Sequence, residues 1–190
     1  MIKIVIGLGN PGKQYAATRH NAGFWLLDAI ARRDQLTFAS KSKLNAEVAA
    51  AGNGVYLFKP QTFMNLSGTT AIAAINFYRA ETEQVLVVHD EVDLPTGSIK
   101  LKHGGGNAGH RGLADISQRI GNNYWRLRIG VGKPAVGGVH DYVLQSPPAA
   151  EQQQIDTTLT LATEVWDKLL AGDYNNAMQI LNSSGKAAEQ

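Results

Sequence analysis

Short apolar runs rich in β-branched residues alternate along this chain with segments of helical periodicity, and that alternation narrows the fold more than any other feature. Ile2 to Ile6, closed by Gly7, reads as a buried strand, and the fully apolar Val85-Leu86-Val87-Val88 reads as another that ends at His89-Asp90-Glu91. Between such runs, Asn21 to Arg33 sets Phe24, Leu27 and Ile30 at core spacing, and Leu66 to Arg79 gathers Ala71, Ile72, Ile75 and Tyr78 on one side. Gly52-Asn53-Gly54, between Leu44–Ala51 and Val55–Lys59, is a hairpin signal. Ser98–His103 alternates Ile99 and Leu101 with Lys100 and Lys102, and Trp125–Val131 sets Arg126 and Arg128 on one face and Leu127 and Ile129 on the other. A short helix is predicted over Gly112–Ile120, and helix again from Pro148 to about Asn182 with a break at Gly172. The expectation is a three-layer α/β domain, a mixed β-sheet flanked by helices. With no repeat and no linker, 190 residues suit one domain, placed at 1–183, with 184–190 as a flexible tail.

Composition removes several function classes. The absence of cysteine excludes a disulfide scaffold, a thiol nucleophile and cysteine-ligated zinc. No apolar run approaches the roughly 18 residues of a membrane span, and the first residues do not read as a signal peptide, so a soluble cytoplasmic protein without a membrane partner is expected. The net charge of +2 conceals an asymmetry: residues 1–139 carry 16 Lys and Arg against 9 Asp and Glu, whereas residues 140–190 carry 2 against 7. Between Ser98 and Pro134, the cations Lys100, Lys102, Arg111, Arg119, Arg126, Arg128 and Lys133 face a single acid, Asp115. Such a block suits a polyanion, or else a solvated face balanced by the acidic C-terminal part.

Gly7-Leu8-Gly9-Asn10-Pro11-Gly12 matches the dinucleotide-binding glycine pattern after a strand, but Asn10-Pro11-Gly12 favours a turn where that motif needs a helix, and the acid ending a second strand is missing. His89-Asp90-Glu91-Val92-Asp93 is a poor metal site, because alternation points His89 and Glu91 away from Asp90. His20 is different. It stands at the entrance of a helix beyond the carboxyl end of the first strand, and if the first and the Val85–Val88 strands are parallel, Asp90 can meet it at the same sheet edge. A carboxylate on one imidazole nitrogen fixes the tautomer and leaves the other nitrogen basic, which suits general-base activation of water. Asn10, Asn21 and Asn65 fall in loops near this edge, Asn65 either as a helix cap or as a donor to a developing oxyanion. Tyr15, Phe63 and Met64 are apolar surfaces in loops, fit either for packing or for holding an acyl group or a base.

Assembled, these blocks closely resemble the bacterial peptidyl-tRNA hydrolase family. The resemblance runs from Ile2 to at least Tyr142 through Val5-Ile6-Gly7-Leu8-Gly9-Asn10-Pro11-Gly12, Thr18-Arg19-His20-Asn21-Ala22-Gly23, Thr62-Phe63-Met64-Asn65-Leu66-Ser67-Gly68, His89-Asp90-Glu91-Val92-Asp93-Leu94-Pro95, the Gly104-Gly105-Gly106 loop with Gly109-His110, and Arg126-Leu127-Arg128-Ile129-Gly130. It implies a twisted mixed sheet and hydrolysis, without metal or cofactor, of the ester joining a peptide to the terminal ribose of tRNA, by a monomer. It further implies that His20 is the catalytic base, oriented by Asp90, that Asn10 and Asn65 handle the substrate beside the aromatic Tyr15 and Phe63, and that Lys102 and Arg128 hold the tRNA 5′ phosphate. Arg111 departs from the family pattern, which has asparagine there, and this leaves the function of that position open. The competing class is a non-catalytic RNA-binding relative on the same fold.

Overall fold

The computed structural model describes residues 1–184. Seven strands form one sheet: β1 (Ile4–Gly7), β2 (Ala39–Lys41), β3 (Ala46–Ala50), β4 (Tyr56–Pro60), β5 (Val85–Glu91), β6 (Ile99–His103) and β7 (Trp125–Gly130). Their order is β2-β3-β4-β1-β5-β7-β6. The central four are parallel, whereas β3 runs antiparallel to β4 and to β2, and β6 runs antiparallel to β7. The sheet is therefore mixed, and the Gly52-Asn53-Gly54 turn joins β3 to β4 as a hairpin, with Asn53 at a φ of 49° and glycines at positive φ on both sides.

Alternation along each strand assigns its side chains to two cores. Val5, Leu86, Val88, Leu127 and Ile129 pack under α1 (Ala22–Asp34), α5 (Ala149–Ala171) and α6 (Tyr174–Ser184), and Ile4, Ile6, Val85 and Val87 pack under α2 (Ser67–Tyr78) and α3 (Arg111–Ile120). This is the three-layer α/β domain expected. Gly172 caps α5 in the left-handed conformation and gives the break before α6. Two elements escape the sequence pattern, the exposed three-residue strand β2 and the five-residue helix α4 (Val139–Val143). The strand carrying Asp90 also runs longer than its apolar run, taking in His89, Asp90 and Glu91. Of the expected tail, Ser184 closes α6 and residues 185–190 lie outside the described residues. Among the described residues no helix is long and apolar enough to cross a membrane.

One close approach sets the site. A Cβ on Gly23 would stand 2.3 Å from the Leu8 nitrogen and 2.4 Å from the Val88 oxygen. Only glycine lets the first turn of α1 lie directly on the ends of β1 and β5, and that contact delivers the residues just before the helix to the rim of the sheet.

Candidate active site

Three loops meet at the carboxyl ends of β1, β4 and β5. The backbone N–H of Asn10 donates to Asn21 Oδ1 at 2.9 Å, and Asn21 Nδ2 returns a bond to the Asn10 carbonyl at 3.0 Å, fastening the loop after β1 to the start of α1. Asn10 Oδ1 in turn accepts from the Met64 N–H at 2.8 Å, tying in the loop after β4. His20 sits in the single 3₁₀ turn Arg19–Asn21 that precedes α1. Beside it Arg19 is buried. Its guanidinium donates to the Tyr142 and Gln145 carbonyls and to Glu151 Oε2 at 2.9 Å and lies 4.0 Å from the centre of the Tyr142 ring, so the His20 turn is bound to the segment running through α4 into α5.

The parallel pairing of β1 with β5 brings His20 and Asp90 together. His20 Nδ1 lies 2.9 Å from Asp90 Oδ1 and 3.0 Å from Oδ2, although the two residues are 70 apart in sequence. His110, from the glycine-rich loop before α3, reaches the same carboxylate, with Nε2 3.0 Å from Oδ1. The tautomers follow from the partners. His110 Nδ1 accepts from the Leu113 N–H as the cap of α3, so its proton is on Nε2 and is donated to Asp90. His20 donates from Nδ1, which leaves Nε2 as a free lone pair. Burial disfavours the charged forms of both His20 and Asp90, yet their mutual attraction prevails: Asp90, also held by His110, stays far below the ordinary carboxylate range, and His20 rises above 6.5, with the charge of Arg111 pulling it down. The ligand atoms of His20, Asp90 and His110 are close enough together to suggest a metal. A cation on His110 Nε2 would have to displace that proton and, with it, the Nδ1 cap of α3, so the set fits a hydrogen-bonded triad better than a coordination sphere.

The remaining predicted residues flank this centre. Asn65 lies in the turn before α2, exposed, neither capping the helix nor hydrogen-bonded among the described residues, so the capping alternative fails and its amide is available. Phe63 is 59 % exposed, and its ring meets Tyr15 edge to face with centroids 6.4 Å apart, forming an open apolar ledge. On the other side of His20, a cavity of about 450 Å³ is lined by Asp90, His110, Arg111, Lys133, Val139 and Val143 among others. A larger cavity of about 620 Å³ lies at the opposite end of the sheet around Met1, Gly52 and Leu170, and its two acids, Asp34 and Asp167, already bind Arg33, so it holds no comparable chemistry.

The cationic block divides in the structure. Lys102 and Arg128 line a second cavity of about 280 Å³ together with His89 and Glu91. Lys102 is exposed, and Arg128 is partly held by Glu91 at 3.1 Å. Arg126, two residues from Arg128 on the same face of β7, is only 2 % exposed and donates to the Gly105 and Gly106 carbonyls at 2.7 Å each, so it folds the glycine loop instead of presenting charge. Arg119 is drawn to Asp115, and Lys133 to Asp93. His89 Nδ1 donates to the Asp90 carbonyl at 2.7 Å and makes no hydrogen bond to the Asp90 carboxylate. Burial, with His110 next, holds its pKa down to about 3, so it is a neutral structural imidazole.

Two residues were missed by sequence reasoning as parts of the site. His110 shares Asp90, a pairing that only the course of the glycine loop creates, and Arg19 is buried, with nothing in its sequence surroundings to mark it as an anchor.

Known proteins resemble this chain along nearly its whole length. The family model described as peptidyl-tRNA hydrolase matches residues 4–189. The peptidyl-tRNA hydrolase of Neisseria meningitidis serogroup C is 46 % identical over 187 residues, covering 96 % of this chain and 97 % of its own, and that of Proteus mirabilis is 46 % identical over 188 residues with the same coverage. The crystal structure of peptidyl-tRNA hydrolase from Acinetobacter baumannii superposes with a TM-score of 0.92 at 39 % identity, over 96 % of this chain and 95 % of that one. With the matching motifs gathered around one imidazole–carboxylate pair, this chain belongs to the peptidyl-tRNA hydrolase family.

Proposed function

We propose that this protein hydrolyses peptidyl-tRNA, cleaving the ester between the peptide's last carbonyl and the terminal ribose and so returning free tRNA. The observation that carries the mechanism is the 2.9 Å contact from His20 Nδ1 to Asp90, which aims an unengaged Nε2 at the rim of the sheet. Nε2 takes a proton from a water as its oxygen attacks the ester carbonyl. Collapse of the tetrahedral intermediate expels the ribose oxygen, which recovers that proton from the imidazolium. The products are a peptide carboxylate and a ribose hydroxyl, and the solution takes up the carboxylic acid's proton. Asp90 positions the ring and stabilises its transient charge while staying ionised, because two imidazole N–H groups already bind it. In this reading the free amide of Asn65 and the Asn10 side chain, whose Oδ1 is taken by Met64, donate through Nδ2 to the ester carbonyl and its oxyanion. Tyr15 and Phe63 offer the ledge for the peptidyl end.

Lys102 and Arg128 take the tRNA 5′ phosphate, a reading supported by their shared cavity and by the spare donors on both side chains. The enzyme acts in this reading as a monomer in the cytoplasm and needs no metal, because general-base activation of water by His20 Nε2 calls for none. The test is release of peptide from an N-acyl-aminoacyl-tRNA by substoichiometric protein, with and without a chelator. Multiple turnovers unaffected by chelator are expected. Binding of the RNA without release would instead establish a passive binder, and loss of turnover with chelator would establish a metal enzyme.

A further inference from the structure

Arg111 is a cation that the fold does not explain. It is the first residue of α3, where the positive end of the helix dipole disfavours a positive charge. It is exposed, and among the described residues it makes no hydrogen bond or ion pair. Most other cations of the block have partners: Lys133 with Asp93 at 2.6 Å, Arg119 with Asp115 at 3.2 Å, Arg128 in part with Glu91, and Arg126 with loop carbonyls. Arg111 nevertheless lines the same cavity as His20 and Asp90, and its charge is felt at the His20 ring. It does not line the Lys102–Arg128 cavity.

A guanidinium is a permanent, forked donor that matches carboxylate and phosphate oxygens alike. Among the described residues no acidic side chain pairs with it, which leaves its charge open to an anion carried by the substrate. We propose that Arg111 is a specificity-determining residue that holds an anionic group flanking the scissile ester, an inference that rests on the hydrolase reading above. A peptidyl-tRNA offers such a group on either side of its ester: the phosphodiester preceding the terminal adenosine, or an acidic side chain near the carboxyl end of the peptide. Either would seat at the wall of the His20 cavity and fix the ester relative to Nε2.

The experiment measures kcat and KM for the natural protein, Arg111→Gln and Arg111→Lys on four substrates, combining a native or an uncharged methylphosphonate terminal linkage with glutamate or glutamine at the peptide's penultimate residue. In the natural protein, neutralising one of the two groups is expected to lower kcat/KM by about threefold to tenfold, chiefly through KM, as for an exposed charge-assisted contact. Arg111→Gln should be indifferent to that same change, with Arg111→Lys intermediate, and the responsive substrate pair identifies the anion. If Arg111→Gln keeps the natural protein's discrimination in both pairs, or loses kcat equally on all four substrates as an oxyanion donor would, the proposal is wrong. If the natural protein releases no peptide from any of the four, the hydrolase reading falls and this inference falls with it.

Discussion

Two regions of this molecule handle charge in opposite ways. At the rim of β1 and β5 an ionised carboxylate is buried, 3 % exposed, and made tolerable by two imidazole donors at 2.9 and 3.0 Å. On β6 and β7, Lys102 is exposed without a protein partner among the described residues, and Arg128 stays partly in water beside a single ion pair to Glu91. The first arrangement fixes a geometry before substrate arrives, which is what proton transfer requires. The second leaves donors facing water, which in the proposed function an incoming phosphate satisfies with adaptable, salt-sensitive attraction. Arg126 and Arg128 show the same contrast within one strand, since the first donates to two glycine-loop carbonyls and the second, beyond its Glu91 contact, stays partly in water.

The comparison breaks first at the rim. His20→Ala should lower turnover by at least about a hundredfold while leaving tRNA affinity nearly unchanged, as read by single-turnover release beside a binding titration. A matching loss of affinity would mean that the rim binds as much as it reacts. The next effect is on stability. Arg19→Met removes the buried cation of a pair whose acid, Glu151, is partly exposed, and strands carbonyls on the α4 segment, so it should cost about 2 kcal/mol in a denaturant titration. It should also lower kcat, because the His20 turn loses its anchor.

On the open strip the expected effects are smaller and differ in kind. Arg128→Gln should weaken tRNA binding by about threefold to tenfold and reduce the slope of log K against log salt by about one, with only a small fall in the unfolding midpoint as Glu91 loses its ion pair. Arg126→Gln should instead lower the midpoint, since the Gly105 and Gly106 carbonyls lose their donors. If the two variants behaved alike, the division drawn between them would be void. The smallest shift is in pH dependence. Only neutral His20 can accept a proton, so kcat/KM should rise with pH through a midpoint above 6.5, where Asp90 holds it against burial. In Asp90→Asn that support is gone, burial and Arg111 act unopposed, and the acid limb should move to lower pH even as the maximum rate falls.

Much of this was legible because buried strands advertise themselves. The apolar runs at Ile2–Ile6 and Val85–Val88 placed β1 and β5, and once parallel pairing was assumed, the positions just past their ends had to converge, which paired His20 with Asp90 before any distance was known. Elements with no buried face carried no such signal. The three residues of β2 are all exposed, and α4 is a helix of five residues with only Val143 buried. Contacts made by loop trajectory were equally silent: nothing in the spacing of Asp90 and His110 says that a glycine-rich turn returns the second to the first, and alternation put Arg126 and Arg128 on one face without telling which of them the loop would cover.

The central claim is that Asp90 acts through His20, and a double-mutant cycle reads it directly. Measured by peptide release from an N-acyl-aminoacyl-tRNA, Asp90→Asn should cost tens of times or more in kcat in the natural background and almost nothing once His20 is already alanine. Equal losses in both backgrounds would show that the carboxylate and the imidazole work independently and would contradict the mechanism.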